Sequence, residues 1–291
     1  MKLVETVAAL KSEIDAAKAS GRTVVFVPTM GALHEGHLSL LEEANLVQDA
    51  FVVMSIFVNP TQFGKGEDFA RYPRTLASDT EALSTLPNPP AVLFVPAVEE
   101  VYAAGTDAPL KPRAGALGSV FEGAARPGHF EGMLHIVSWF FEVIKPEVAV
   151  FGAKDAQQLF LIKRMILREF NDSIEIIEAN TVREDDYLAR SSRNRFLTEL
   201  GRSFAPVIFA TLIQVQERIT EGELPSVVIA EASSPLDCPP LAKLDYLALV
   251  DKSNFSPISD GFSGEAQLLV AVVVDGVRLI DNITFYIQEP A

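Results

Sequence analysis

Cysteine is nearly absent from this chain. The single Cys238 allows no internal disulfide and excludes a cysteine-rich metal site. Long apolar runs are missing too: the longest, residues 268–274 (LLVAVVV), is far too short to cross a bilayer. Positive charge is scarce, with 24 Lys and Arg against 39 Asp and Glu, a net charge of −15. A nucleic-acid coat and an anionic membrane surface both need clustered cations, so neither partner fits. The imbalance is uneven, since residues 203–291 hold 4 basic and 12 acidic side chains and residues 1–202 hold 20 and 27. A small anion-binding pocket stays compatible with this composition, because it needs only a few placed cations and helix termini.

What is present is globular: 48% hydrophobic and 22% charged over 291 residues. That length suggests one large domain or two moderate ones. Residues 1–18 intersperse Glu5, Glu13 and Asp15 among apolar side chains, which predicts an amphipathic helix and no secretory leader. A cytoplasmic location is the default expectation.

Residues 23–28 (TVVFVP) and 50–58 (AFVVMSIFV) predict buried strands flanking a helix with Leu38, Leu41 and Ala44 on one face. Such strand–helix–strand units build parallel sheets. Residues 91–95, 148–151 and 174–177 extend the same sheet, and residues 132–144 and 155–170 predict helices, the first ended by Pro146 and the second capped by Asp155. After about residue 181 the texture changes to a polar loop, VREDDYLARSSRN, then a helix around 201–221 and strands at 244–250, 268–274 and 277–283. The last two flank Asp275-Gly276, a hairpin signal. The expected fold class is α/β: a parallel-sheet domain over residues 1–181 and a smaller α+β domain over 182–291.

The sharpest motif is PTMGALHEGH, residues 28–37, between a strand and a helix. Helix-start N–H groups there face the open end of the sheet, where anions bind. Two of the four histidines in the chain, His34 and His37, fall here three residues apart, so both can point at one phosphate. The plainer reading is two unrelated surface histidines. At the end of the next strand, Asn59 and Gln62 offer amides suited to a ligand carrying hydroxyl and carboxylate, although Asn59-Pro60 is also an ordinary turn. FGAKDAQQ, residues 151–158, places Lys154 before a helix, where it can meet a phosphate, with Gln158 one turn in. Ser191, Ser192 and Arg193 make a competent phosphate clamp, although taken alone they read first as part of a solvated hinge. Arg126 and His129 either line the cleft or act as structural donors.

PTMGALHEGH, SIFVNPTQF, EDFARYPRT, RPGHFEG, FGAKDAQQL and VREDDYLARSSRN occur in the order and spacing of the pantothenate synthetase (pantoate–β-alanine ligase) family, which this chain resembles from about residue 23 to 197 and more weakly to RLIDNI at 278–283. The resemblance implies a Rossmann-like N-terminal domain, a smaller C-terminal lid domain and a cytoplasmic homodimer. It implies condensation of pantoate with β-alanine through pantoyl adenylate, with ATP cleaved to AMP and pyrophosphate in the presence of Mg²⁺, toward coenzyme A. At matching positions, it implies that His34, His37, Lys154 and Arg193 are catalytic, the histidines stabilising charge during adenylyl transfer. Pro28, Met30, Gly152, Asp155, Val182, Ser191 and Ser192 join them at ATP, and Asn59, Gln62 and Gln158 hold pantoate. Tyr72 is the implied gate. No residue is assigned to Mg²⁺, which phosphates and water can hold.

Ala153 and Ala156 stand where the family usually has Glu and Tyr; Tyr187 replaces a usual Gly and Arg190 an apolar residue. None of these removes an implied ligand. The implied reaction has no protein nucleophile and calls for preorganised donors around developing negative charge, which His34, His37, Lys154, Arg193 and helix N–H groups would supply. Another H-x-G-H nucleotidyltransferase and a non-catalytic nucleotide-binding module remain as alternatives.

Overall fold

The computed structural model describes residues 1–64, 68–106 and 109–289, so Glu67 of the EDFARYPRT motif lies outside it. The chain divides into a larger unit, Met1–Ala153 with Gln158–Asn180, and a smaller one, Lys154–Gln157 with Thr181–Ala291.

The larger unit is a six-stranded parallel sheet. Its strands are β1 (Lys2–Val4), β2 (Thr23–Thr29), β3 (Ala50–Ile56), β4 (Val92–Phe94), β5 (Val148–Gly152) and β6 (Glu175–Ala179), in spatial order β1-β4-β3-β2-β5-β6. Alternate side chains enter two cores, as the two-residue period of a strand demands. Val24, Phe26, Phe51 and Val53 pack with α1 (Val7–Ala19), α6 (His129–Ile144) and α7 (Ala156–Glu169), while Val25, Val27, Val52 and Met54 pack with α2 (Glu35–Leu46) and α3 (Leu76–Ser84). Burial on both faces explains the continuous apolar runs of β2 and β3. Two single-turn helices, α4 (Val98–Val101) and α5 (Glu122–Ala125), complete the unit.

The smaller unit holds α8 (Glu199–Phe204), α9 (Val207–Thr220), α10 (Pro225–Ala232) and an antiparallel sheet in the order β7 (Ala242–Asp251), β8 (Gly264–Val274), β9 (Val277–Ile287). Leu212, Val215 and Val228 of its helices bury against Leu268, Val270 and Val272 of β8. The β8–β9 turn is Asp275-Gly276, both at positive φ (49° and 77°), as a two-residue hairpin requires.

Two sequence expectations change. The first residues are not helical: β1 is an edge strand paired with β4, Leu3 opposite Leu93, and the helix begins only after Thr6, whose hydroxyl accepts from Ala9 N–H. The helix expected around 201–221 is two helices, broken where Pro206 cannot donate its nitrogen to a continuous ladder. Among the described residues no helix is long and apolar enough to cross a membrane.

Candidate active site

Strand order reverses between β2 and β5, and the carboxyl ends of strands at such a switch point are where open α/β sheets bind ligands. The chain leaving β2 turns sharply. Gly31 has φ 79°, and a Cβ there would lie 3.0 Å from Ile56 Cγ2 and 3.2 Å from Asp79 Oδ2, so glycine is required twice over. Ala32 follows at φ 53°, a conformation costing an L-residue about 1–2 kcal/mol.

Asp79 of α3 holds this turn. Its carboxylate, 4% exposed, accepts from Ala32 N–H (2.9 Å), Leu33 N–H (3.0 Å) and the Thr75 hydroxyl (3.1 Å). These charge-assisted bonds offset the strain of the turn. Thr29 ties the other side, its hydroxyl donating to Ser55 C=O at 2.6 Å and accepting from Gly31 N–H at 3.2 Å. Sequence reasoning missed Asp79, since ASDTEAL reads as a solvated helix face.

His34 is the N-cap of α2. Its Nδ1 accepts from Gly36 N–H (3.1 Å), and His37 Nδ1 accepts from His34 N–H (3.3 Å). A backbone N–H can only donate, so both Nδ1 atoms are acceptors and each ring carries its hydrogen on Nε2. The rings lie 4.1 Å apart between centroids, tilted by 35°. Both rings thus stand at a helix start, the kind of place where backbone N–H groups favour negative charge.

At the end of β3 the expected amides are brought to Met30. Gln62 Nε2 lies 3.2 Å from Met30 Sδ, and Gln62 Oε1 accepts from Asn59 Nδ2 at 3.0 Å. Asn59 is 1% exposed. α6 passes closely here because Gly132 has no side chain: a Cβ would lie 2.3 Å from Thr61 O and 2.6 Å from Gln62 N. Arg126 and His129 brace this turn. His129 Nδ1 donates to Gln62 C=O at 2.8 Å, and Arg126 donates to His129 Nε2 at 3.1 Å. Tyr72, the expected gate, is 5% exposed with its ring edge-on to Phe63 at 5.8 Å.

β5 ends at Gly152, and α7 begins at Ala156, directly after the exposed Asp155. Gln158 is half-buried in the first turn of α7. Lys154 groups with the smaller unit, where Asn282 Nδ2 of β9 donates to its carbonyl at 2.8 Å.

In the smaller unit, residues 182–190 form a tight reversal closed by Arg190 N–H to Val182 C=O (2.9 Å) and Glu184 N–H to Leu188 C=O (2.8 Å). Tyr187 sits there at φ 69°, a conformation that favours the glycine usual in the resembling family. Its ring stacks on Phe209 at 5.7 Å, and Arg183 lies over the same Phe209 ring at 3.8 Å. Arg183 also pairs with Asp281, 5% exposed, through two bonds of 2.6 and 3.0 Å. Ser191 caps the short 3₁₀ turn Ser192–Phe196 by accepting from Arg193 N–H at 3.2 Å. Arg202 supports this loop through Glu184 (2.7 Å) and Asp186 (2.5 Å), and its guanidinium holds the Asp186 carboxyl below the usual range.

Among the described residues no three His, Cys, Asp or Glu side chains converge as metal ligands.

The family model for pantoate-β-alanine ligase matches residues 2–284. A pantothenate synthetase from Leifsonia xyli subsp. xyli is 45% identical over 92% of this chain and 90% of its own length. One from Moorella thermoacetica is 43% identical over 99% of this chain and 100% of its own. The crystal structure of pantothenate synthetase from Thermus thermophilus matches with TM-score 0.87 and 40% identity, covering 97% of this chain and 99% of that one. The pantoate-β-alanine ligase from Francisella tularensis, complexed with beta-gamma ATP and β-alanine, matches with TM-score 0.75 and 30% identity over 97% of each chain. Agreement over nearly the whole length in sequence and in backbone means that this chain belongs to the pantoate-β-alanine ligase family.

Proposed function

We propose that this chain joins pantoate to β-alanine using ATP, with the imidazole pair of α2 stabilising adenylyl transfer. The pantoate carboxylate attacks the α-phosphate and pyrophosphate leaves. The neutral amine of β-alanine then attacks the acyl carbon of pantoyl adenylate, and AMP leaves. Negative charge grows on phosphate oxygens in the first step, and fixed N–H donors suit it because they need no reorganisation. The observation that carries this reading is the shared tautomer of His34 and His37, each with its hydrogen on Nε2. The family supports it, and the Francisella tularensis relative holds beta-gamma ATP and β-alanine.

The site roles are part of the proposal. Lys154, Ser192 and Arg193 serve the phosphates, with Ser191 shaping the turn that carries Arg193. Pro28, Met30, Gly152, Asp155 and Val182 lie along the nucleotide. Gln62 and Gln158 meet pantoate, and Asn59 acts on pantoate through Gln62. The smaller unit serves as the lid. Cytoplasmic location and homodimeric assembly rest on the family resemblance alone. Mg²⁺ is proposed to ride on phosphate oxygens and water: Asp79, the buried carboxylate next to the histidine turn, has both oxygens engaged by backbone N–H groups, so this chain offers no carboxylate cage there.

The test is turnover with ATP, pantoate and β-alanine. AMP is expected only when both acids are supplied. Pyrophosphate release that β-alanine never converts to AMP overturns the ligase reading in favour of a nucleotidyltransferase.

A further inference from the structure

Next to Gln62 lies a chain of polar groups that determines which end of its amide faces Met30. The chain has an unambiguous anchor. Asn59 Nδ2 is 3.0 Å from the carbonyl oxygen of Gly132, and a carbonyl can only accept, so the atom facing it is the nitrogen. Asn59 Oδ1 then faces two hydroxyls, Tyr102 at 2.5 Å and Thr61 at 3.1 Å, which are themselves 2.7 Å apart. Of the three oxygens in that triangle only Oδ1 has no hydrogen, so it accepts in every arrangement of the two hydroxyl protons. The second hydrogen of Asn59 Nδ2 goes to Gln62 Oε1 at 3.0 Å. Gln62 is therefore left with its NH₂ turned toward Met30, whose thioether is a weak acceptor. A flipped Gln62 sets two NH₂ groups against each other.

Asn59 has both hydrogens and its oxygen engaged inside the protein. Tyr102 is 7% exposed, its ring stacked on His135 at 5.4 Å and 6.5 Å from Phe57. Burial pushes its phenol above the ordinary value, so it keeps its hydrogen at neutral pH.

We propose that Tyr102 is a positioning residue for pantoate: together with the Gly132 carbonyl it holds the Asn59 amide, and through Asn59 it keeps Gln62 as a donor, so that the pocket selects an acceptor oxygen of the substrate, carboxylate or hydroxyl. This rests on the reading of Gln62 as a pantoate ligand. Tyr102→Phe keeps the ring and removes the first hydrogen of the chain. It is expected to raise the KM for pantoate by about tenfold, the loss of one buried hydrogen bond, and to leave the KM for ATP unchanged. In a Gln62→Ala background the same substitution is expected to add nothing, which distinguishes positioning through Gln62 from a general structural effect. Gln62→Glu, which keeps an oxygen for Asn59 but removes the NH₂ donor, is expected to raise the KM for pantoate at least as much as Gln62→Ala. An unchanged KM for pantoate in Tyr102→Phe, an equal rise in both backgrounds, or a Gln62→Glu enzyme like the wild type overturns the proposal. Failure of the ligase reading shows in the wild type as missing turnover, and failure of the ligand reading shows in Gln62→Ala as an unmoved KM for pantoate. Either removes the proposal too, but in a different enzyme.

Discussion

His34 and Ser191 both cap a helical turn with a side chain that accepts a backbone N–H, yet their supports differ. The turn before His34 is held by a buried carboxylate on backbone donors, and the adjoining amides by hydrogen bonds to a helix carbonyl. The turn at Ser191 follows a loop braced by ion pairs, of which Arg202–Asp186 is 36% and 39% exposed at its side chains. Interior hydrogen bonds are costly to leave unmade and resist salt, whereas partly exposed ion pairs contribute little and weaken with it. The histidine turn is thus built to hold still, and the serine–arginine loop to give way at small cost. Arg183–Asp281 is the exception, a bidentate pair with a buried carboxylate in the smaller unit that ties this loop to β9.

That exception gives the largest expected effect. Arg183→Ala strands Asp281 as a buried charge and is expected to destabilise the smaller unit by about 3–5 kcal/mol in denaturant titration. A loss below about 1 kcal/mol makes the loop uniformly loose and removes the exception.

Asp79→Ala orphans Ala32 and Leu33 N–H. It is expected to lower stability by about 2–3 kcal/mol and to increase hydrogen exchange at Ala32 and Leu33. Exchange unchanged at those two amides contradicts the fixed histidine turn.

The smallest effect sharpens the contrast. Asp186 has a carboxyl pKa lowered from 3.8 chiefly by its hydrogen bond to Arg202. Its stabilisation is present above that unperturbed value and is lost as pH falls through the lower folded one. Exposure screens it, so Asp186→Asn is expected to cost under about 1 kcal/mol at neutral pH and less again near about pH 3. A melting difference that grows on acidification reverses the sign and refutes the assignment.

Legibility followed the range of the interactions. β2, β3 and β5 are buried on both faces, and unbroken apolar runs announced them. β1 is three residues continuous in pattern with α1, so its pairing to β4, some ninety residues on, left no local trace. Pro206 was visible, but the apolar period on either side of it hid the break. His34, His37, Gln62 and Lys154 stood out as candidates because histidine, amide and cationic side chains fall where strands give way to helical turns. Asp79, Tyr102 and Gly132 were not, because each acts on a residue far away in sequence: Asp79 on Ala32, Tyr102 on Asn59, Gly132 on Thr61. Asn59 shows the middle case: it stood out beside a strand end, while its use as a strut depended on contacts from α6 and Tyr102.

The proposed chemistry turns on the imidazole pair offering Nε2–H to the phosphates. Pyrophosphate–ATP exchange in the presence of pantoate, measured for wild type, His37→Gln and His37→Asn, tests this most directly. The amide nitrogen of Gln can stand where Nε2 stands, and that of Asn only where Nδ1 does. A fall of about 10²-fold or more is expected for His37→Asn, with His37→Gln between it and the wild type. Exchange equal in all three, or His37→Asn faster than His37→Gln, contradicts the Nε2–H role.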